Sequence, residues 1–203
     1  IIDLQSRLNL LNLLSGQDKK ISEEDLLPFM RLFERLGLPG STVMQIATAL
    51  QQASLNKSQS APLMPRTVGQ LGWLGIDART IARIEPYVTL LPQRTSVNIN
   101  TASAEVIWAS VTDLDWARAN QLVQLRNTSP LKSLNAAGTA IGMAGAFNSS
   151  SHSVITEYFE ARGRLRLGEN ILSQRSLIER KSMNVNTLWQ ERADWGMPTV
   201  PRP

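Results

Sequence analysis

The chain has 203 residues, 42% of them hydrophobic and 19% charged, which is the make-up of a folding chain with a core rather than of a disordered one. Cysteine is absent and histidine occurs once, which excludes a disulfide framework, a thiol nucleophile and any cysteine-ligated metal centre, and leaves little for zinc. Lysine and arginine number 21 against 17 aspartate and glutamate, a net charge of +4 that permits a nucleic-acid partner without requiring one.

The apolar stretches, such as Leu10–Leu14, are far shorter than the roughly 18 residues of a membrane span. The first residue is Ile1 rather than methionine, and the expectation is a processed or truncated chain that a signal or anchor preceded. From Ile2 to Leu10, Ile2, Leu4, Leu8 and Leu10 alternate with Asp3, Gln5, Arg7 and Asn9, which predicts one half-buried strand. Ser22 followed by Glu23, Glu24 and Asp25 reads as an N-cap with acids in the first turn of a helix that Gly37 and Pro39 end. A second helix is expected from Ser41 or Thr42 through Leu50, and the Ser-, Gln- and Pro-rich stretch from Gln51 to Pro65 reads as an exposed loop.

Two short helical segments, Thr67–Leu74 and Ala78–Pro86, and an extended piece, Val88–Leu91, precede Val97-Asn98-Ile99-Asn100-Thr101-Ala102. Asn100 or Thr101 is expected to cap the helix carrying Val106, Ile107 and Ala109, and Asp113 or Asp115 the helix from Trp116 to Leu125. Gly138–Ser153 is rich in Gly, Ala and Ser and predicts a mobile loop. Beyond it the period becomes two. Ile155, Phe159, Ala161, Leu165 and Leu167 are expected on the buried face of a strand, with Tyr158, Glu160, Arg162, Arg164 and Arg166 on the solvated face. Ile171–Arg180 and the alternation from Met183 through Trp189, the latter on a buried face, predict two further strands; the tail 196–203 is expected to be extended or frayed.

The fold class expected is α+β, an antiparallel sheet interrupted by an all-helical insertion with helix-hairpin-helix or SAM-like segments. The expected domains are a sheet domain from 1–14 and 153–195, a helical insertion over 20–137, a flexible loop at 138–152 and the tail. No catalytic constellation is found: His152 lies among serines in a loop, and the carboxylate pairs Glu23/Glu24 and Asp113/Asp115 are explained by helix capping. No catalytic, cofactor or metal site is therefore assigned. Glu160–Arg192 is the basic part of the chain, read as a solvated sheet face with a phosphate or acidic-partner surface as the alternative. Trp73, Trp108, Trp116 and Trp195 cannot be divided between core and surface from sequence.

The stretch from Asn98-Ile99-Asn100-Thr101-Ala102 to Leu125-Arg126 resembles a helix-hairpin-helix DNA-binding unit. Where that unit carries a Gly-hydrophobic-Gly hairpin, this chain has Thr112-Asp113-Leu114-Asp115, whose carboxylates repel the phosphate the motif must attract. Taken with Asp3-Leu4-Gln5-Ser6-Arg7-Leu8-Asn9-Leu10, Leu91-Pro92 and Val154-Ile155-Thr156-Glu157-Tyr158-Phe159, the segment order resembles the minor pseudopilin GspK family of type II secretion systems (general secretion pathway protein K). The resemblance implies a periplasmic subunit anchored in the inner membrane by an N-terminal hydrophobic helix not in this sequence. It implies assembly with the minor pseudopilins GspI and GspJ at the pseudopilus tip, where the subunit starts and caps the filament without chemistry of its own. Contact with secreted substrates or the outer-membrane secretin belongs to the same implication. It also raises calcium, yet Gln45–Pro65 and Gly138–Ser153 hold no Asp or Glu, and no ligands are named. The alternative of another class is a nucleic-acid module binding through Arg126 and the strand arginines.

Overall fold

The computed structural model describes residues 1–55 and 62–192. The chain opens with strands β1 (Ile2–Asp3), β2 (Leu8–Asn9), β3 (Leu14–Ser15) and β4 (Lys20–Ile21), with 3-10 turns at Leu4–Ser6 and Leu10–Leu13. The single strand expected over Ile2–Leu10 is thus broken. The second break is made by Asn9, only 1% exposed, whose Oδ1 accepts from the amides of Leu11 and Leu91, both at 3.1 Å. These bonds turn the chain after β2 and tie it to a segment some eighty residues away, a pull no local pattern announces.

Helix α1 (Glu23–Arg35) starts where Ser22 accepts from the Asp25 amide at 3.4 Å, and ends before Gly37, whose φ of +65° an L side chain adopts only with strain. Helix α2 (Ser41–Leu55) runs five residues into the stretch read as a loop. The Ser54 hydroxyl donates back to Leu50 O at 2.8 Å there, so polar residues at its end do not stop it. Residues 56–61 of that stretch lie outside the described residues.

A 3-10 helix (Val68–Leu74), α3 (Ala78–Ile84, capped by Asp77) and β5 (Val88–Thr89) follow; β5 pairs in parallel with β2. After β6 (Val97–Asn98) come α4 (Ala104–Ser110), α5 (Trp116–Thr128), α6 (Leu134–Ala140) and β7 (His152–Ser153), which pairs in parallel with β6. The stretch expected to be a mobile loop is thus largely built in. Ile141 and Phe147 are buried and His152 is 2% exposed.

Gly138, in α6, shows how close that packing is: a Cβ there would stand 2.6 Å from Met143 O, whose own amide donates to Gly138 O at 2.8 Å. Gly138→Ala is expected to cost about 2 kcal/mol through this backbone clash, read as a lower urea midpoint. An unchanged midpoint would show that the turn yields.

The last part of the chain is a sheet: β8 (Tyr158–Leu167), β9 (Asn170–Lys181) and β10 (Asn184–Arg192), antiparallel in the order β1-β8-β9-β10. Gly168-Glu169 makes the two-residue turn between β8 and β9, with Gly168 at φ +61°. The chain divides into two compact units, Gln5–Ile155 and a sheet unit of Ile1–Leu4 with the chain from Thr156 onward. The first strand completes the sheet as expected, but with two residues, Ile2 opposite Glu160 and Asp3 opposite Phe159. Residues 5–14, expected in the sheet domain, lie in the helical unit instead, and so do 138–152.

Burial in β8 is confined to its start: from Arg162 on both faces are exposed, the arginines as expected and the leucines against expectation. Tyr158 and Glu160 are 1% and 7% exposed, whereas Leu165 and Leu167 are 63% and 77% exposed. Polar ends are the reason this face can be buried: the Tyr158 hydroxyl donates to Glu179 at 2.6 Å, and Glu160 pairs with Arg162. Lys181 completes the group at 2.7 Å from Glu179, and these two partners hold the Glu179 carboxyl below its ordinary value. A bulge between Thr187 and Trp189 brings Trp189 opposite the buried Leu177, where it is half-buried beneath Arg175. Trp195 and the tail 196–203 lie outside the described residues.

Candidate functional site

The stretch from Val97 to Arg126 is where the sequence carries its most specific pattern, and in the helical unit its two asparagines turn inward. The first asparagine, Asn98, accepts from the Asn100 amide at 3.0 Å through its side chain, and its carbonyl accepts from Ala102 at 2.9 Å. The second, Asn100, binds three backbone groups: Nδ2 donates to Leu131 O and Val154 O, each at 3.0 Å, while Oδ1 accepts from Leu131 N at 2.8 Å. Asn100 therefore does not cap α4. Ser103 does, accepting from Val106 N at 3.4 Å. An asparagine fits the junction because its amide presents donor and acceptor together.

The connection between α4 and α5 decides what this helix pair can bind. Val111 and Leu114 are buried, Leu114 N bonds Val111 O at 3.3 Å, and Asp115 caps α5 by accepting from Arg118 N at 2.8 Å. The Val111 carbonyl also accepts from Arg31 of α1 at 2.6 Å. Arg31 stacks on Trp108, 4.5 Å from its centroid, and Arg35 lies 3.6 Å from the Trp116 centroid and 5.8 Å from that of Trp108. Trp108 and Trp116 are thus half-buried in an arginine–tryptophan stack that locks α1 to the α4–α5 pair, while Trp73 is 57% exposed. Burial lowers the Arg31 guanidinium pKa, and Asp113 and Glu34 partly counter it.

This arrangement leaves no phosphate cradle. At the hairpin, where a DNA-binding unit offers glycine amides, the chain offers side chains, the Asp113 carboxylate, and a carbonyl already held by Arg31. Arg126 is turned toward the protein: its guanidinium donates to Ile99 O, and burial lowers its pKa. Nothing in this helix pair supports the nucleic-acid alternative.

His152, expected in a loop, is instead buried under Phe147, with ring centroids 5.2 Å apart and perpendicular. Its Nε2 lies 3.1 Å from Ser110 Oγ, whose hydroxyl donates to Ile107 O at 3.0 Å. Nδ1 is buried and meets no hydrogen-bond partner at ordinary geometry, though the Asn148 backbone acts on the ring in favour of its protonated form. Burial pushes the imidazole pKa down to about 4. A serine–histidine pair working as nucleophile and base requires access for a substrate, and this histidine is 2% exposed. Sequence reasoning missed the Ser110–His152 contact because nothing local links positions so far apart.

The other charged residues weighed from sequence stay dispersed. Glu23 and Glu24 stand exposed in the first turn of α1, and Arg162, Arg164 and Arg166 line one exposed side of β8. Among the described residues no group of three or more His, Asp or Glu could hold a metal ion. No helix of the described residues is long and apolar enough to cross a membrane.

The fold is that of an α+β protein. Two family models described as Type II secretion system (T2SS), protein K match the chain, one over residues 6–93 and one over 97–154, both ranges inside the helical unit. The chain belongs to that family. The Type II secretion system protein K of Pseudomonas aeruginosa PAO1 is 24% identical over 135 residues, 66% of this chain and 40% of that protein, so the chain spans less than half of that relative's length. A chain of the solved GspK-GspI-GspJ complex from the enterotoxigenic Escherichia coli Type 2 Secretion System superposes with a TM-score of 0.73 at 20% identity, covering 95% of this chain and 78% of that one. The likeness in that case is one of fold.

Proposed function

We propose that this chain is the globular part of a minor pseudopilin at the tip of the type II secretion pseudopilus, a structural subunit without catalytic activity. The observation that carries the reading is the interrupted sheet: β1 supplies two residues, the whole helical unit intervenes, and β8 resumes the same sheet beside it. Family membership and the likeness in fold to a chain of the GspK-GspI-GspJ complex support it. In this reading GspI- and GspJ-type pseudopilins are the direct partners, binding energy alone starts the filament, and the helical insertion ends it by leaving no seat for another subunit. The chain works in the periplasm, and anchoring in the inner membrane by an N-terminal hydrophobic helix belongs to the same proposal. No cofactor is needed.

Co-expression of the chain with the soluble parts of GspI- and GspJ-type pseudopilins from the same organism tests this. A complex with one copy of each, measured by light scattering, is the expected result. A chain that remains monomeric with both partners would refute the assignment.

A further inference from the structure

Among the described residues, strand β8 has one side paired along its whole length and the other side paired only near its start. Every residue from Tyr158 to Leu167 pairs with β9, but β1 covers only Phe159 and Glu160 on the outer side. Among the described residues no strand lies against β8 beyond that point. The Arg180 amide bonds Glu157 O at 2.7 Å, which aims the odd-numbered residues of this unbroken ladder at β9 and the even-numbered ones outward. The backbone N–H and C=O groups of Arg164 and Arg166 therefore face the open edge.

The side chains along that edge sort by charge. Arg164 and Arg166 share one face, where their partners across the ladder are Ser173 and Ile171, so neither meets an acid there. The Arg166 Nε donates to Gly168 O at 3.0 Å, which leaves its other N–H groups for a ligand. Arg164 has no acidic partner among the described residues. Leu165 and Leu167, both mostly exposed, lie on the opposite face with Leu172. Gly163, with open space where a Cβ would stand, lies in a groove of about 430 Å³ lined by Leu165, Leu172, Gln174 and Ser176, with Arg162 and Arg164 also in its lining.

We propose that the outer edge of β8 from Gly163 to Leu167 receives an extended segment of a partner protein as an added strand, one alternating acidic and apolar side chains. Strand addition satisfies the outward amides and carbonyls of Arg164 and Arg166. The alternation follows from the pleat: side chains on the arginine face of the added strand are carboxylates, and those on the other face lie beside Leu165 and in the groove above Gly163. A second copy of this chain is the wrong occupant, because pairing β8 with itself sets guanidinium against guanidinium, the means by which edge strands avoid self-association.

The test titrates the isotope-labelled chain with the peptide Thr-Glu-Val-Glu-Val-Glu-Thr and with its lysine counterpart, followed by amide NMR and hydrogen exchange. The acidic peptide is expected to slow exchange at Arg164 and Arg166, and the lysine peptide to leave it unchanged. The double variant R164E/R166E should weaken binding by about tenfold or more. R164P, which removes an outward N–H while sparing the ladder to β9, should abolish it, with Tyr158 and Leu177 signals reporting an intact sheet. The proposal is overturned if neither peptide binds at concentrations on the order of 1 mM, or if both bind alike. It is equally overturned if binding leaves the edge amides unprotected, if R164P binds as well as the parent chain, or if duplex DNA outcompetes the peptide at the same residues.

Discussion

Replacing Asn9 by alanine is expected to lower the stability of the helical unit by about 4 kcal/mol, an effect outside the usual range for one side chain. Asn9 is 1% exposed, and its amide is divided among four partners. Oδ1 accepts from Leu11 N and Leu91 N at 3.1 Å, and Nδ2 donates to Gln93 O at 2.7 Å and Thr95 Oγ1 at 3.2 Å. Truncation leaves at least two backbone N–H groups and a carbonyl unpaired, each costing about 1–3 kcal/mol where water cannot reach it. Asn9→Asp retains the acceptor but loses both donors and buries a charge, so it should not rescue. Asn12, half-buried, holds Thr95 through two bonds of 2.8 and 3.1 Å. Asn12→Ala should cost only about 1 kcal/mol, since solvent can replace what it loses. Urea unfolding followed at 222 nm reads this unit, because all six described α-helices lie in it. Equal midpoints for the Asn9 and Asn12 variants would show that the buried amide is not what ties the first turn to the segment after Leu91.

The second large effect is acid destabilisation through His152. Its folded pKa is about 4, below its ordinary value of 6.5, so the unfolded chain takes up a proton in a range where the folded one does not. Stability is therefore whole above pH 6.5 and falls by about 1.4 kcal/mol per pH unit as the pH drops, reaching a loss of about 3 kcal/mol near pH 4. Carboxylates titrate in the lower part of this window too, so the informative quantity is the difference from His152→Gln, which has no proton to take up. The difference should be flat above pH 6.5 and grow below it. Parallel curves for the two proteins, or an imidazole titrating near 6.5 by NMR, would contradict the buried neutral ring. Protonation here also loosens a junction, since His152 pairs β7 to β6 and its ring rests on Ser110 at the end of α4.

Much of the helical unit was legible because its signals are local. Ser22, Asp77 and Asp115 cap their helices through contacts three residues away, and Gly37 and Gly168 mark turns by a backbone geometry that depends only on the residue itself. The unfit of the α4–α5 connection for phosphate was also readable from Asp113 and Asp115, and the structure adds that Arg31 already holds the Val111 carbonyl. Likeness in segment order placed the chain in its family, and the interrupted sheet followed from two kinds of periodicity meeting in one chain.

The rest depended on groups far apart in the chain, and tertiary structure alone decided it. Asn100 reads as a cap from its neighbours, yet its amide is satisfied by Leu131 and Val154, which leaves the cap to Ser103. The stretch of small residues before His152 has no pattern of its own, and it is ordered by burial of Ile141, Phe147 and His152 and by pairing with β6. Apolar alternation in β8 pointed to the leucine face, but a tyrosine and a glutamate with partners for their polar atoms are buried more fully than leucines at a hairpin end. Sequence determined which segments turn, coil or extend, because those choices are made within a few residues. Tertiary structure decided which faces are covered and where the buried polar groups find partners, because burial and hydrogen-bond satisfaction are properties of the assembled chain.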